Sequence, residues 1–240
     1  MKVEVCVTSV KSARIAEMAG ADRLELCAEL AVGGITPSMG LLEAVREAVQ
    51  LPVHVLIRPR SGDFIYPEEV IEQMLRDIEG CRRIGFEGFA TGCLRPNGSL
   101  DKVHMNHLAQ ATGPCHLTFH RAFDRLLDWE KALPELKALG VDTILSSGQA
   151  PSALQGLPLL EKLQQLSTCG IMPGGGIRPE NVNEFSGKGF EAVHLSSIAK
   201  ARPEAFMGPA LNTPSLLREG QPPEVDPGIL ERLIAQLKTP

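Results

Sequence analysis

Val55-Leu56-Ile57-Arg58-Pro59-Arg60-Ser61-Gly62-Asp63-Phe64 is the stretch on which the reading of this chain turns. An apolar, β-branched run over 53–57 stops abruptly at Arg, Pro, Arg, Gly and Asp. That is the pattern of a buried strand delivering charge to one end of a sheet. Pro59 has no N–H for a further ladder bond, and Gly62 permits a turn. Alternation puts Leu56, Arg58 and Arg60 on one side of the strand and Val53, Val55 and Ile57 on the other. Two arginines there form a floor of positive charge for an anion, because guanidinium matches carboxylate or phosphate in a bidentate fork. Salt bridges to neighbouring helices would account for the same pair.

Working outward, eight strand-like runs can be read: residues 3–7, 23–27, 53–57, 88–92, 115–120, 142–146, 170–173 and 192–196. Helical patterns lie between most of them, at 12–19, from Thr36-Pro37-Ser38 to Val49, and at 67–84, 101–111, 129–139 and 152–166, with a short helix from Pro179. The repeat is near the ~30 residues of a βαβ unit, and no hairpin signal interrupts it. Strict alternation implies an all-parallel sheet covered by helices. Eight units in 240 residues predict an α/β fold of one domain, 1–240, a closed (β/α)8 TIM barrel. No G-x-G-x-x-G follows the first strand, which removes the best support for a dinucleotide-binding sheet. Residues 200–227 read as an irregular excursion before a last helix over 227–237.

Composition narrows the class. The chain is 43% hydrophobic with a formal net charge of −5, which speaks against nucleic acid or an anionic membrane as partner. There is no run of ~18 apolar residues and no signal-peptide pattern at the start, so the expectation is a soluble, cytoplasmic protein. Cysteines 6, 27, 81, 93, 115 and 169 are scattered without C-x-x-C, indicating neither a zinc knuckle nor a disulfide framework.

In such a barrel the site lies at the carboxyl ends of the strands. Period two places Glu4 and Cys6 inward on the first strand, and Glu25 and Cys27 inward on the second. Buried glutamates need partners, and the arginines of strand three are next door. An internal Glu–Arg network that fixes barrel registry is one outcome. The other is acid/base carboxylates tuned by that network, with Glu25 the first choice. His120 ends strand five beside Arg121 and Asp124, which raises its functional weight, while His54, His104, His107 and His116 lack such company. Gly174, Gly175 and Gly176 after strand seven expose backbone N–H groups, and a helix opened by Pro179 would favour an anion. Ser147 after strand six and Ser196 after strand eight add small donors.

Taken together, these residues resemble the CutC, or copper homeostasis protein, family from the first strand to about Ser197. The resemblance is carried by Glu4-Val5-Cys6-Val7, Gly20-Ala21-Asp22-Arg23-Leu24-Glu25-Leu26-Cys27, Gly33-Gly34-Ile35-Thr36-Pro37-Ser38 and Ile57 to Phe64. Thr118-Phe119-His120-Arg121-Ala122-Phe123-Asp124, Ser147-Gly148-Gln149 and Pro173-Gly174-Gly175-Gly176 complete it. The chain departs from the family's usual pattern at Ala90-Thr91-Gly92-Cys93 and His194-Leu195-Ser196-Ser197, and beyond Lys200 it does not match closely. The resemblance implies a TIM barrel, a cytoplasmic homo-oligomer and a link to copper.

Two functions follow. Cu(I) prefers soft thiolate donors, and Cys6 and Cys27 share parity on adjacent strands, so a two-thiol metal site is geometrically possible. Met39 and Met172 are only loosely placed for it. The alternative is an enzyme acting on a small anionic metabolite, phosphorylated or not, by isomerase- or lyase-type proton transfer. Glu25, His120 and Asp124 would be catalytic; Glu4, Arg58, Arg60, Arg121, Ser147, Gly174, Gly175, Gly176 and Ser196 would bind substrate. No lysine ends these strands, which speaks against a Schiff-base aldolase.

Overall fold

The computed structural model describes residues 1–196 and 224–238. Eight parallel strands stand in a ring: β1 (Lys2–Val7), β2 (Arg23–Leu26), β3 (Val53–Leu56), β4 (Gly88–Thr91), β5 (His116–Phe119), β6 (Thr143–Ser146), β7 (Gly170–Pro173) and β8 (Ala192–Leu195). Their ladders run β7-β6-β5-β4-β3-β2-β1-β8, and a parallel bridge between Gly174 and His194 joins the two ends of the series. The (β/α)8 barrel is thus the fold, nearly closed. Much of the expected excursion over 200–227 lies outside the described residues.

Seven α-helices are described: α1 (Val10–Met18), α2 (Met39–Ala48), α3 (Glu68–Ile84), α4 (Lys102–Thr112), α5 (Trp129–Ala138), α6 (Leu157–Leu166) and α7 (Pro227–Lys238). Their starts are set by short polar caps. Ser9 and Ser12 form a reciprocal box at α1, and Ser38, Asp101 and Asp128 accept backbone N–H groups at α2, α4 and α5. α3 is favoured along its whole length, with Glu68 and Glu69 in the first turn, Arg82 and Arg83 in the last, and left-handed Gly85 closing it.

Two helices differ from the sequence reading. The sixth begins at Leu157, not near Ser152, because Gly148 and Gly156 pack backbone to backbone and hold the chain in a turn until Pro158 can open a helix. The seventh crossover is only a three-ten turn, Val182–Phe185. Asn181 competes with helix formation there, since its Oδ1 accepts from Arg178 N (2.9 Å) and its Nδ2 donates to Gly176 O (3.0 Å). The expected helix N-terminus at Pro179 therefore does not form.

Strand parity divides the interior in two. Val3, Val5, Val7, Leu24, Leu26, Val53, Val55 and Ile57 belong to the large apolar layer between strands and helices. Inside the barrel two small clusters remain, one of Cys6, Cys27, Leu56 and Ala90, the other of Leu145, Met172 and Ala192. The rest of that space is polar, which a barrel built only for stability would not need. α7 is pinned over the β2 entry by Lys238 Nζ, 2.8 Å from both Asp22 Oδ1 and Gly20 O. No described helix is long and apolar enough to cross a membrane.

Candidate functional site

A cavity of about 300 Å³ opens at the carboxyl ends of the strands, lined among others by Cys6, Glu25, Cys27, Arg58, Phe64, His120 and His194. Cys6 pairs in register with Glu25 across β1 and β2, and Cys27 follows one step beyond Leu26. The two sulfurs come within 3.2 Å of each other, both fully buried from bulk water. That shared hydrogen bond, then burial, pushes the Cys6 thiol well above its usual range. Gly34 closes over the pair. A Cβ there would stand 2.7 Å from Leu56 Cδ2 and 3.4 Å from Cys27 Cβ, and its φ of +83° also favours glycine.

The glutamates do sit inside the barrel, but their partners differ from those expected. Glu4 binds Arg23 Nε at 2.5 Å and His194 Nδ1 at 2.8 Å. Burial opposes its ionisation, yet the His194 hydrogen bond and the Arg23 charge bring its carboxyl down to about 2. Glu25 was expected to face the arginines of β3. Instead it meets His194 Nε2 at 3.7 Å and lies beside Cys6, and burial raises its carboxyl. The reason is direction: Arg58 leaves β3 away from β2's carboxylate and toward the loops, while His194 arrives across the closing seam. His194 is pulled up in turn, because Glu25 and Glu4 together outweigh its own desolvation. Cys6, Glu25 and His194 offer three donor atoms within 4.8 Å of one another.

Neither Arg23 nor His194 was singled out from sequence. Both were within reach of the same alternation: Arg23 shares parity with Glu25, and His194 with Ala192, opposite the helix-facing Val193 and Leu195.

Arg58 and Arg60 part company. Arg58 is 6% exposed and lines the cavity, donating from Nη1 to Val32 O (2.9 Å) and Gly34 O (2.7 Å) and from Nη2 to Gly62 O (3.0 Å). Arg60 turns outward past Pro59, pairs with Asp63 at 2.7 Å and lies over Tyr66. It is not among the residues lining the cavity.

His120 is also inside, its ring 4.8 Å from that of Phe64. Its Nδ1 accepts the Ala122 N–H at 3.2 Å, and burial with the Arg58 charge pushes its pKa down to about 3. Asp124, expected as a catalytic carboxylate, is saturated as an acceptor. It takes Ser146 Oγ (2.6 Å), Ser147 N and Gln149 N (3.1 and 3.2 Å) on Oδ1, and Arg121 Nε (2.8 Å) with Ser147 Oγ (3.0 Å) on Oδ2. It braces the β6 loop, where Gln149 holds a φ of 55°. Ser147 is consumed in the same brace, with Arg121 Nη2 at 2.8 Å, although Arg121 also lines the cavity.

Gly175, Gly176 and Ser196 reach the rim. Gly174 sits behind it, where a Cβ would meet Leu145 Cδ1 at 2.5 Å and His194 Cβ at 3.1 Å, so glycine lets β7 close onto β8 and sets His194 in place. His54 and His116 pack ring against ring, centroids 4.8 Å apart and planes tilted by 35°, among the lower strand positions and apart from the cavity. Glu25 and His120 thus line one cavity, whereas Asp124 is not among its lining residues and is committed to the β6 loop.

Comparison with known proteins agrees with this architecture. A family model described as the CutC family matches residues 1–199. A CutC family protein of Edwardsiella ictaluri is 47% identical over 198 residues, covering 82% of this chain and 79% of the relative. The human protein named copper homeostasis protein cutC homolog is 46% identical over 198 residues, covering 81% and 72%. A solved structure named for CutC from Streptococcus agalactiae superposes with a TM-score of 0.77 at 29% identity, covering 82% of this chain and 99% of that one. With the fold, the cysteine-bearing strands and nearly the whole barrel matched, this chain belongs to the CutC family.

Proposed function

We propose that this protein binds monovalent copper at Cys6 and Cys27 and thereby serves copper homeostasis in a reducing, cytoplasmic setting. The observation that carries the reading is the thiol pair, 3.2 Å apart and buried at the wall of an open cavity. Soft sulfur donors are what Cu(I) selects, and all six cysteines are free thiols. His194 lies within 4.8 Å of Cys6, near enough to serve as a further donor on that side of the pair. Glu4 holds its Nδ1, the carboxylate–histidine arrangement that orients a ring for a metal on the other nitrogen. Glu25 adds a carboxylate beside Cys6 that can take up charge or a proton as the ion enters. The name carried by the human relative supports the same assignment. Self-association, which the family resemblance implied, belongs to the proposal as well.

The test is a competition titration with a Cu(I) chelator. The Cys6→Ser, Cys27→Ser double variant should lose the ion to the chelator, while Cys81→Ser and Cys169→Ser, in α3 and before β7, should hold it as tightly as the parent. Equal affinity in the double variant would overturn the assignment.

A further inference from the structure

Lining the same cavity as the thiols is a buried cation without an anion. Arg58 is 6% exposed, and among the described residues no carboxylate lies within ion-pair distance of it. Its Nη1 and Nη2 are held by three backbone carbonyls, which satisfy hydrogen bonds but carry no countercharge. The Phe64 ring, 5.2 Å from the guanidinium carbon, offsets this only in part. Three of the five guanidinium N–H groups are used in this way, and Nε has no hydrogen-bond partner among the described residues. Buried charges in proteins are ordinarily paired, so an unpaired one lining an open cavity marks the place of a ligand anion.

A second orphan lines the same cavity and, like Arg58, lies against Phe64. His120 is 4% exposed, and its Nδ1 already accepts the Ala122 N–H. The proton of the neutral ring must then be on Nε2, which has no partner among the described residues. The ring's depressed basicity agrees with its staying neutral at physiological pH. One charged and one neutral donor ask for two acceptor oxygens and a single negative charge. Arg121, the other guanidinium at the cavity, is already paired with Asp124 at 2.8 Å, so a dianion would find only one unpaired charge. Leu30, Leu56, Phe64, Leu145 and Ile177 give the cavity an apolar lining.

We infer that Arg58 and His120 form a carboxylate subsite, which holds a small monocarboxylic acid with an apolar body in the cavity beside the thiols. At about 300 Å³ the space is at the small end for ligand pockets, which limits the body to a short chain or a single ring. The subsite is independent of copper and uses neither cysteine.

Isothermal titration of the metal-free full chain with hexanoate and phenylacetate, their neutral amides, and inorganic phosphate tests this. Each acid should bind at least roughly tenfold more tightly than its amide, as charge-assisted hydrogen bonds require. Phosphate should bind more weakly than either acid. His120→Phe keeps a ring packed against Phe64 and should weaken acid binding by roughly tenfold while leaving Cu(I) affinity unchanged. Arg58→Met should abolish acid binding; if it fails to fold, the His120 variant alone decides. Acids that bind no better than their amides, or not at all, would overturn the inference. So would a preference for phosphate, or parental acid affinity in His120→Phe. None of these results bears on the thiol assignment, which the chelator competition reads separately.

Discussion

Glu4 Oε1 lies 2.8 Å from His194 Nδ1, across the seam where β1 pairs with β8. This contact joins the first strand to the last, and through Arg23 it reaches the second. It therefore does two jobs: it helps close the barrel and it aims His194 at Glu25 and Cys6.

Glu4→Gln should be strongly destabilising. Removing one member of a buried, hydrogen-bonded ion pair strands its partner, here Arg23, at a cost of about 3–5 kcal/mol. The pH dependence has a definite sign. A carboxyl depressed to about 2 contributes stability that is present above its unfolded value near 4.5 and is lost as pH falls from there toward 2. Urea unfolding at pH 7, 4 and 3 should show this acid loss in the parent and a flatter acid limb in the variant. A variant as stable as the parent at pH 7 would remove the pair from the list of structural determinants.

Glu25→Gln should act on His194 rather than on Arg58. Glu25 is the largest influence raising the His194 ring, so its neutralisation should lower that pKa. A raised histidine contributes stability below its unfolded value near 6.5, and that contribution is lost as pH rises through the folded value. In the variant this loss should move to lower pH. The buried Glu25 carboxyl is itself raised, so its removal relieves a desolvation cost at neutral pH and the variant should melt close to the parent. An NMR titration of the His194 ring reads the shift directly. An unchanged ring pKa would mean that Glu4 alone sets it.

Copper uptake should grow tighter with pH. The Cys6 thiol is held protonated by its bond to Cys27 and by burial, so an incoming Cu(I) must displace at least one proton. Apparent affinity should then rise by about tenfold or more per pH unit between pH 6 and 8. Chelator competition at three pH values measures the slope. A flat profile would mean that the thiols are not the ligands.

Arg60→Ala should be nearly silent. Its ion pair with Asp63 is exposed on both sides, and such pairs contribute about 0–1 kcal/mol. Neither Cu(I) nor carboxylate binding should change. A loss of acid binding as large as that predicted for Arg58→Met would place Arg60 back at the cavity.

What the sequence by itself determined was everything that depends on period and position. Alternation of 53–57, and of seven runs like it, dictates eight parallel strands, and with them the inward faces of Glu4, Cys6, Glu25, Cys27 and Arg58. A residue two steps along a strand returns to the same face whatever surrounds it. The meeting of Cys6 with Cys27 follows from the same rule, because adjacent parallel strands bring matching parities together. Tertiary structure alone decided where long side chains go once they are inside. Arg58 and Arg60 share parity, yet one is drawn in by three carbonyls and the other swings out to Asp63, since long flexible side chains and a proline between them erase the strand's rule. Only closure could bring His194, at the far end of the chain, onto Glu4 and Glu25. Only the folded loop could show that Asp124 has no lone pair to spare, whereas Arg58 Nε and His120 Nε2 still lack a partner among the described residues. Hydrogen-bond satisfaction is a property of the assembled site: Ser146, Ser147 and Gln149 reach Asp124 from β6 and its loop, and Val32 and Gly34 reach Arg58 from the loop after β2, which no spacing within one segment encodes.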